Sequence, residues 1–163
     1  MPIINLIAAM SENQVIGIDN QLPWHLPDEW KNFRKITDGK AFITGRKSYQ
    51  APDALHSTYR DVVLTKQNDV FPELEHAHSL QHAFDILKDE SEVFVLGGAS
   101  VFHAAIPFAD KMYLTVVHAH IEGDAYFPTV KADEWDLETS VYHAADEEHK
   151  YAFSMNVLLR KKL

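Results

Sequence analysis

At 163 residues, with 46% hydrophobic and 24% charged side chains, the chain can bury one core and has ordinary globular composition, which excludes disorder and fibre formation. A formal net charge of −9 argues against nonspecific nucleic-acid binding, because phosphate backbones demand a basic surface. The absence of cysteine removes disulfides, thiolate nucleophiles and cysteine zinc sites, and suits a reducing cytoplasm. The expectation is one soluble domain over 1–163, monomeric and cytoplasmic, with no membrane or nucleic-acid partner.

The first element, Ile3–Met10, is apolar but far shorter than a membrane span and reads as a buried strand. A helix follows at Leu26-Pro27, where proline suits a first helical turn. At 100° per residue, Trp30, Phe33 and Ile36 define its buried arc. Glu29 falls within that arc, whereas Asp28 points the other way with Asn32 and Lys35 and should be solvated. An unpaired carboxylate on an apolar face has a raised pKa and calls for a ligand. An acidic residue in a first helical turn also stabilises the helix by its charge alone, and the spacing leaves both readings open.

Ala41–Thr44 and Val62–Thr65 read as further strands. The first runs into Gly45-Arg46-Lys47-Ser48, a helix start carrying two cations and a hydroxyl. It is not a P-loop, since Lys40 stands at the place of the first glycine and Arg46 separates Gly45 from Lys47. The segment from Lys31 to Lys66 holds eight basic residues (Lys31, Arg34, Lys35, Lys40, Arg46, Lys47, Arg60, Lys66) against three acidic ones (Asp38, Asp53, Asp61), a net +5 inside a −9 protein. Such a field collects a multiply charged anion, although solvated helix faces give the same pattern.

Ser79 can cap a helix whose Leu80, Ala83, Phe84 and Leu87 form one apolar stripe, a structural element. Val93–Leu96 then leads through Gly97-Gly98-Ala99-Ser100-Val101-Phe102 into another helix. The paired glycines place backbone N–H groups where a pyrophosphate could sit, or serve only tight strand-to-helix packing. Two phosphate-friendly junctions together favour a dinucleotide. Met112–Val117 is a strand, and Leu137–Tyr142 with the alternating Tyr151–Leu159 suggests a closing antiparallel hairpin in which Phe153, Met155, Val157 and Leu159 share the buried face. His76, His78 and His82 cluster, and His118 and His120 fall on one face of a strand, but neither group offers a convincing third ligand. No metal is expected.

Taken in order, Ile7-Ala8-Ala9, Val15-Ile16-Gly17, Leu22-Pro23-Trp24-His25-Leu26-Pro27-Asp28-Glu29, Gly45-Arg46-Lys47-Ser48, Val63-Leu64-Thr65, Leu96-Gly97-Gly98-Ala99, Tyr113-Leu114-Thr115 and Gly123-Asp124-Ala125-Tyr126-Phe127-Pro128 resemble the dihydrofolate reductase family over essentially the whole chain. The resemblance implies an α/β fold with an eight-stranded, mostly parallel sheet, an antiparallel C-terminal strand and four flanking helices. It implies hydride transfer from NADPH to 7,8-dihydrofolate.

It also implies roles. Glu29 would bind the pterin and assist protonation at N5. Trp24 would hold a water near it, Thr115 would back it with a hydroxyl, and Leu22 would form the tip of a lid running from about Met10 to Leu26, steadied by Asp124. Ile7, Ala8, Trp30, Phe33 and Leu96 would contact the substrate. Ala9, Ile16 and Gly17 would meet the nicotinamide end of the cofactor. Gly45, Arg46, Lys47 and Ser48 with Gly97, Gly98, Ala99, Ser100, Val101 and Phe102 would hold the phosphates, across a cis Gly97–Gly98 peptide. Leu64, Thr65 and Lys66 would lie at the adenosine end, with Arg46, Thr65 and Lys66 on the 2′-phosphate.

The chain departs from the family pattern where an arginine anchors the substrate's α-carboxylate: Tyr59 occupies that place and Arg60 follows it, so either the loop shifts and Arg60 takes the anchoring role or the glutamate tail is held differently. Two alternatives compete, a pyrimidine reductase of the riboflavin pathway and a nucleotide-binding protein without catalysis. Glu29 beside Trp24 speaks against the first, and the second would need an impaired lid or acid, neither of which is visible.

Overall fold

The computed structural model describes residues 2–66 and 74–162. In chain order the elements are β1 (Ile3–Ser11), β2 (Val15–Gly17), α1 (Pro27–Thr37), β3 (Ala41–Gly45), α2 (Arg46–Tyr49), β4 (Arg60–Leu64), β5 (Glu75–Ala77), α3 (Leu80–Ile86), β6 (Glu92–Gly97), α4 (Ala99–Ala105), a short 3-10 turn (Ile106–Phe108), β7 (Lys111–Val117), β8 (Ala125–Tyr126), β9 (Trp135–His143) and β10 (Phe153–Arg160). Eight strands form one sheet in the order β5-β4-β3-β6-β1-β7-β10-β9, and β2 pairs with β8 in a separate ribbon.

Six strands, from β5 to β7, run parallel, and β10 reverses against both β7 and β9. Buried parallel strands need apolar side chains on both faces, which explains the continuous runs Leu6–Ile7, Phe42–Ile43 and Val93–Val95. One face packs Leu6, Ile43, Val95, Phe102 and Met112 into the main core. The other is covered by α1, through Phe33 against Ile7, Phe42 and Phe94.

The C-terminal hairpin forms as expected, with one correction to its facing. Phe153 and Met155 pack towards Trp24 and Val117, but Leu158 joins the main core while Leu159 is exposed. Core lies on both sides of the sheet here, so β10 has no single buried face, and the ladder with β9 shifts register between Val157 and Leu158.

Helix α1 starts at Pro27 with no side-chain cap. Its first free amide, that of Asp28, donates instead to Nε2 of His149 at 3.1 Å, so a residue from the distant β9–β10 turn satisfies a donor that the helix itself cannot. Ser79 does cap α3, accepting from the His82 amide at 3.0 Å. His118 and His120 lie beyond the end of β7, contrary to the expected strand placement. His118 bonds Ser154 and approaches Glu12.

Candidate active site

A cleft of about 730 Å³ runs along the carboxyl ends of β1, β3, β4 and β6. In parallel α/β sheets this end collects strand-to-helix loops and helix N-termini, and ligands bind there. At one end α1 supplies Glu29, Trp30 and Phe33, facing Ile7, Ala8 and Leu96. At the other, Gly45 to Ser48 and Gly98 to Phe102 meet Leu64, Thr65 and Lys66. Ala9, Ile16 and Gly17 lie along the cleft as well. The fold thus brings residues of eight elements, each named in the sequence, onto one surface.

Glu29 is partly accessible, and only Thr115 among the described residues donates a side-chain hydrogen bond to it, from Oγ1 to Oε1 at 3.2 Å. Burial pushes its carboxyl above the ordinary range, and the Thr115 bond opposes that shift. The register of β7 beside β1 is what aims Thr115 at the acid: Thr115 lies opposite Ala9, on the strand that borders the floor of the cleft. Thr115 sits behind Glu29 rather than on the cleft wall, and Trp24 is likewise buried, packed with Leu26, Val117 and Phe153.

Asp28, expected to be solvated, is a correction. It points away from the cleft, but its Oδ2 lies 2.8 Å from His143 Nε2 and its Oδ1 3.6 Å from Lys31. The hydrogen bond from His143, together with the positive charges nearby, holds its carboxyl below the usual range. Two adjacent carboxylates thus have pKa values pushed in opposite directions.

Arg60 is a second correction. At the start of β4 it donates from Nε and Nη2 to both oxygens of Glu75, at 2.7 and 2.6 Å, and from Nη1 to Glu90 at 3.1 Å. A bidentate pairing of this kind fixes the guanidinium, and it fixes it outside the cleft. Tyr59 shares the Glu90 oxygen, at 2.7 Å. The acids that capture Arg60 come from β5 and from the turn before β6, so no local reading of residues 50–66 could find them.

The lid segment is tethered between Gly17 and Leu22. Asp124 accepts the Asp19 amide at 3.0 Å and donates its own amide to the Gly17 carbonyl at 3.0 Å. Asp53 accepts the Leu22 amide at 2.8 Å, and Asn20 donates to the Lys47 carbonyl at 2.9 Å. Asp53, Asn20 and Gln21 line the cleft and were not singled out in the sequence, where Asp53 counted only as an acid in a basic window. His78 and Ser79 were missed too, although they line the end near Lys66. His78 stood out only as part of a histidine cluster, and nothing local ties it to the adenosine end.

Against known proteins, the family model for dihydrofolate reductase matches residues 3–160. The chain belongs to the dihydrofolate reductase family. It is similar to the dihydrofolate reductases of Staphylococcus haemolyticus, 35% identical over 96% of this chain and 95% of that one, and of Haemophilus influenzae, 36% identical over 96% and 98%. A solved structure of the Enterococcus faecalis dihydrofolate reductase, complexed with NADP(H) and RAB-propyl, superposes with a TM-score of 0.88 at 29% identity, covering 98% of this chain and 97% of that one.

The cofactor side of a reductase of this family fits the residues present. A Cβ on Gly98 would stand 2.9 Å from the Ser48 hydroxyl, and one on Gly45 would stand 3.1 Å from Val101, so the two junctions approach closely only because both positions are glycine. The Gly97–Gly98 peptide is cis, as the resemblance implied. Arg46, Lys47 and Lys66 line this end, the charge that phosphates require.

Proposed function

We propose that Glu29 is the group through which this chain grips the pterin ring and assists its protonation at N5. As a member of the dihydrofolate reductase family, the chain reduces 7,8-dihydrofolate to 5,6,7,8-tetrahydrofolate with NADPH, and NADPH supplies the hydride. The observation carrying the role of Glu29 is its environment: a carboxylate at the floor of an apolar cleft, raised in pKa by burial, with a hydroxyl and no cation as its side-chain partner among the described residues.

Two oxygens on one rigid helix match a pair of adjacent N–H donors on a planar heterocycle. A carboxyl that burial raises above its ordinary range holds its proton more tightly than a solvated one, which suits a group that shares a proton with the substrate. Thr115 fixes the orientation of the carboxyl, while Trp30 and Phe33 offer apolar walls to the substrate. Trp24 steadies the segment above Glu29, and Leu22 reaches the cleft at the tip of the lid, where closure would exclude water from the reacting atoms. Arg46, Thr65 and Lys66 are proposed to receive the adenosine 2′-phosphate, and Lys47, Ser48 and the Gly97-to-Phe102 junction the remaining phosphates. The chain is proposed to be a monomer; its length suits a single domain, its lack of cysteine suits the cytoplasm, and its acidic net charge speaks against a nucleic-acid partner.

The test is the loss of NADPH absorbance with dihydrofolate as substrate, measured beside a pyrimidine of the riboflavin pathway. Turnover with dihydrofolate that collapses in Glu29→Gln, with NADPH affinity retained, is expected. Full turnover by that variant near neutral pH would overturn the role given to Glu29.

A further inference from the structure

On the side of α1 turned away from the cleft, Asp28 meets two histidines that are 115 and 121 residues further along the chain. His143 Nε2 lies 2.8 Å and His149 Nε2 lies 3.9 Å from Asp28 Oδ2. All three ligand-type atoms fall within 4.8 Å of one another. The reductase chemistry uses none of them.

The hydrogen bonds settle how each ring presents itself. His149 Nε2 faces the backbone N–H of Asp28, a group that can only donate, so this nitrogen carries a lone pair. Its proton therefore resides on Nδ1, 2.7 Å from Asp146 Oδ1. His143 Nδ1 faces the Ala144 carbonyl at 2.7 Å, a group that can only accept, so it too is protonated there. Both rings have Nδ1 bound to an oxygen acceptor and Nε2 beside Asp28, that of His143 on the carboxylate and that of His149 on the backbone N–H with the carboxylate 3.9 Å away. That arrangement, with one Nδ1 on a carboxylate and the other on a backbone carbonyl, is the one that orients metal-binding histidines.

The rings are also held in place. His143 stacks on Phe153 with centroids 4.6 Å apart and planes at 11°, and His149 is only 1% exposed. Asp28, at 40% side-chain exposure, leaves the group open to solvent on one side. Asp146 Oδ2, 4.0 Å from His143 Nε2, stands by as a further oxygen.

We propose that Asp28, His143 and His149 bind a divalent ion of the zinc class, with Asp146 orienting His149. Two imidazoles and a carboxylate favour zinc, cobalt, nickel or copper over magnesium or calcium, which take oxygen ligands. Nitrogen ligands near 2.0–2.1 Å around a tetrahedral ion lie about 3.3 Å apart, so small side-chain rotations bring the present atoms into place. The ion takes the position of the proton that His143 shares with Asp28, and that proton leaves to solvent. His149 Nε2 gives up the Asp28 amide, which water can reach beside the half-exposed side chain. Because the ligands join the start of α1 to the β9–β10 turn, binding clamps the helix that carries Glu29. The site stands independently of the role proposed for Glu29.

The experiment is calorimetric titration of Zn²⁺ into the full chain, paired with visible absorption of Co²⁺ and melting temperature with and without Zn²⁺. One ion per chain is expected, with Co²⁺ bands of a four- or five-coordinate site and a higher melting temperature with zinc. His143→Gln and Asp28→Asn should each weaken binding more than tenfold, and Asp146→Asn by about ten- to a hundredfold. His118→Gln, a histidine on another surface, should leave it unchanged. Absence of saturable zinc binding would overturn the proposal, as would unaltered affinity in both His143→Gln and Asp28→Asn, or equal affinity for Mg²⁺. His143 is partly exposed, so that variant is informative even if Asp28→Asn folds poorly.

Discussion

Asp28 and Glu29 are consecutive acids in the first turn of α1, and they show how much one step of 100° around a helix changes. Glu29 faces the apolar cleft, has a threonine hydroxyl for a partner, and is pushed towards its neutral form by burial. Asp28 faces the β9–β10 turn, is met by two histidines and a lysine, and is held in its charged form. The same functional group is thus pushed towards its acid form on one side and held as an anion on the other. What differs is the company each keeps, and that company is brought from β7 in one case and from residues 143–149 in the other.

The largest expected effect comes from erasing the charge on the cleft side. Glu29→Gln should lower turnover near neutral pH by about a hundredfold or more, the scale of a lost general acid, with NADPH affinity measured by fluorescence titration little changed. The same variant tests the burial argument through stability. A carboxyl whose pKa is higher folded than unfolded binds more protons in the folded state between those two values, so wild-type stability falls as pH rises from the ordinary glutamate range through the raised value. Glu29→Gln should therefore melt above the wild type near neutral pH, and the difference should vanish in acid below the ordinary glutamate range. A variant less stable at neutral pH would mean that the ionised carboxylate is favourably solvated in the cleft.

Thr115→Val sharpens the comparison by removing the only side-chain donor to Glu29 among the described residues and leaving the volume nearly unchanged. The hydroxyl lowers the pKa of Glu29, so its loss should move the alkaline limb of kcat/KM to higher pH. Such a hydrogen bond to a charged group is worth about 1.5–3 kcal/mol. An unmoved pH profile with reduced activity would assign Thr115 a packing role instead.

The smallest effect is expected at Arg60. Arg60→Ala should leave the KM for dihydrofolate unchanged, because the guanidinium is committed to Glu75 and Glu90. Stability should drop by roughly 1 kcal/mol, the scale of a partly exposed ion pair, as read by urea denaturation. A raised KM for dihydrofolate, with no change for a pterin lacking the glutamate tail, would restore the anchoring role that its position in sequence suggested.

How much was legible depends on the range of the interaction. The parallel sheet could be read because buried strands are continuous apolar runs, and the division between Glu29 and Asp28 could be read because helix phase is a local property. The two glycine-containing junctions were visible as loops with the right charge, though only the sheet order brings β3 beside β6 and so makes one phosphate site of them. The facing of β10 was misjudged because alternation assumes one wet side, and this strand has apolar neighbours on both.

Taken alone, the sequence determined the elements, the cleft's chemical character and the family, since periodicity, turn residues and charge act over a few positions. The tertiary structure decided which partner each ionisable group meets. It turned Arg60 away from the cleft, set Thr115 behind Glu29, and joined Asp28 to His143 and His149 across more than a hundred residues. Hydrogen bonds and ion pairs depend on separations of a few ångströms, and only the folded chain fixes those between residues so distant in sequence.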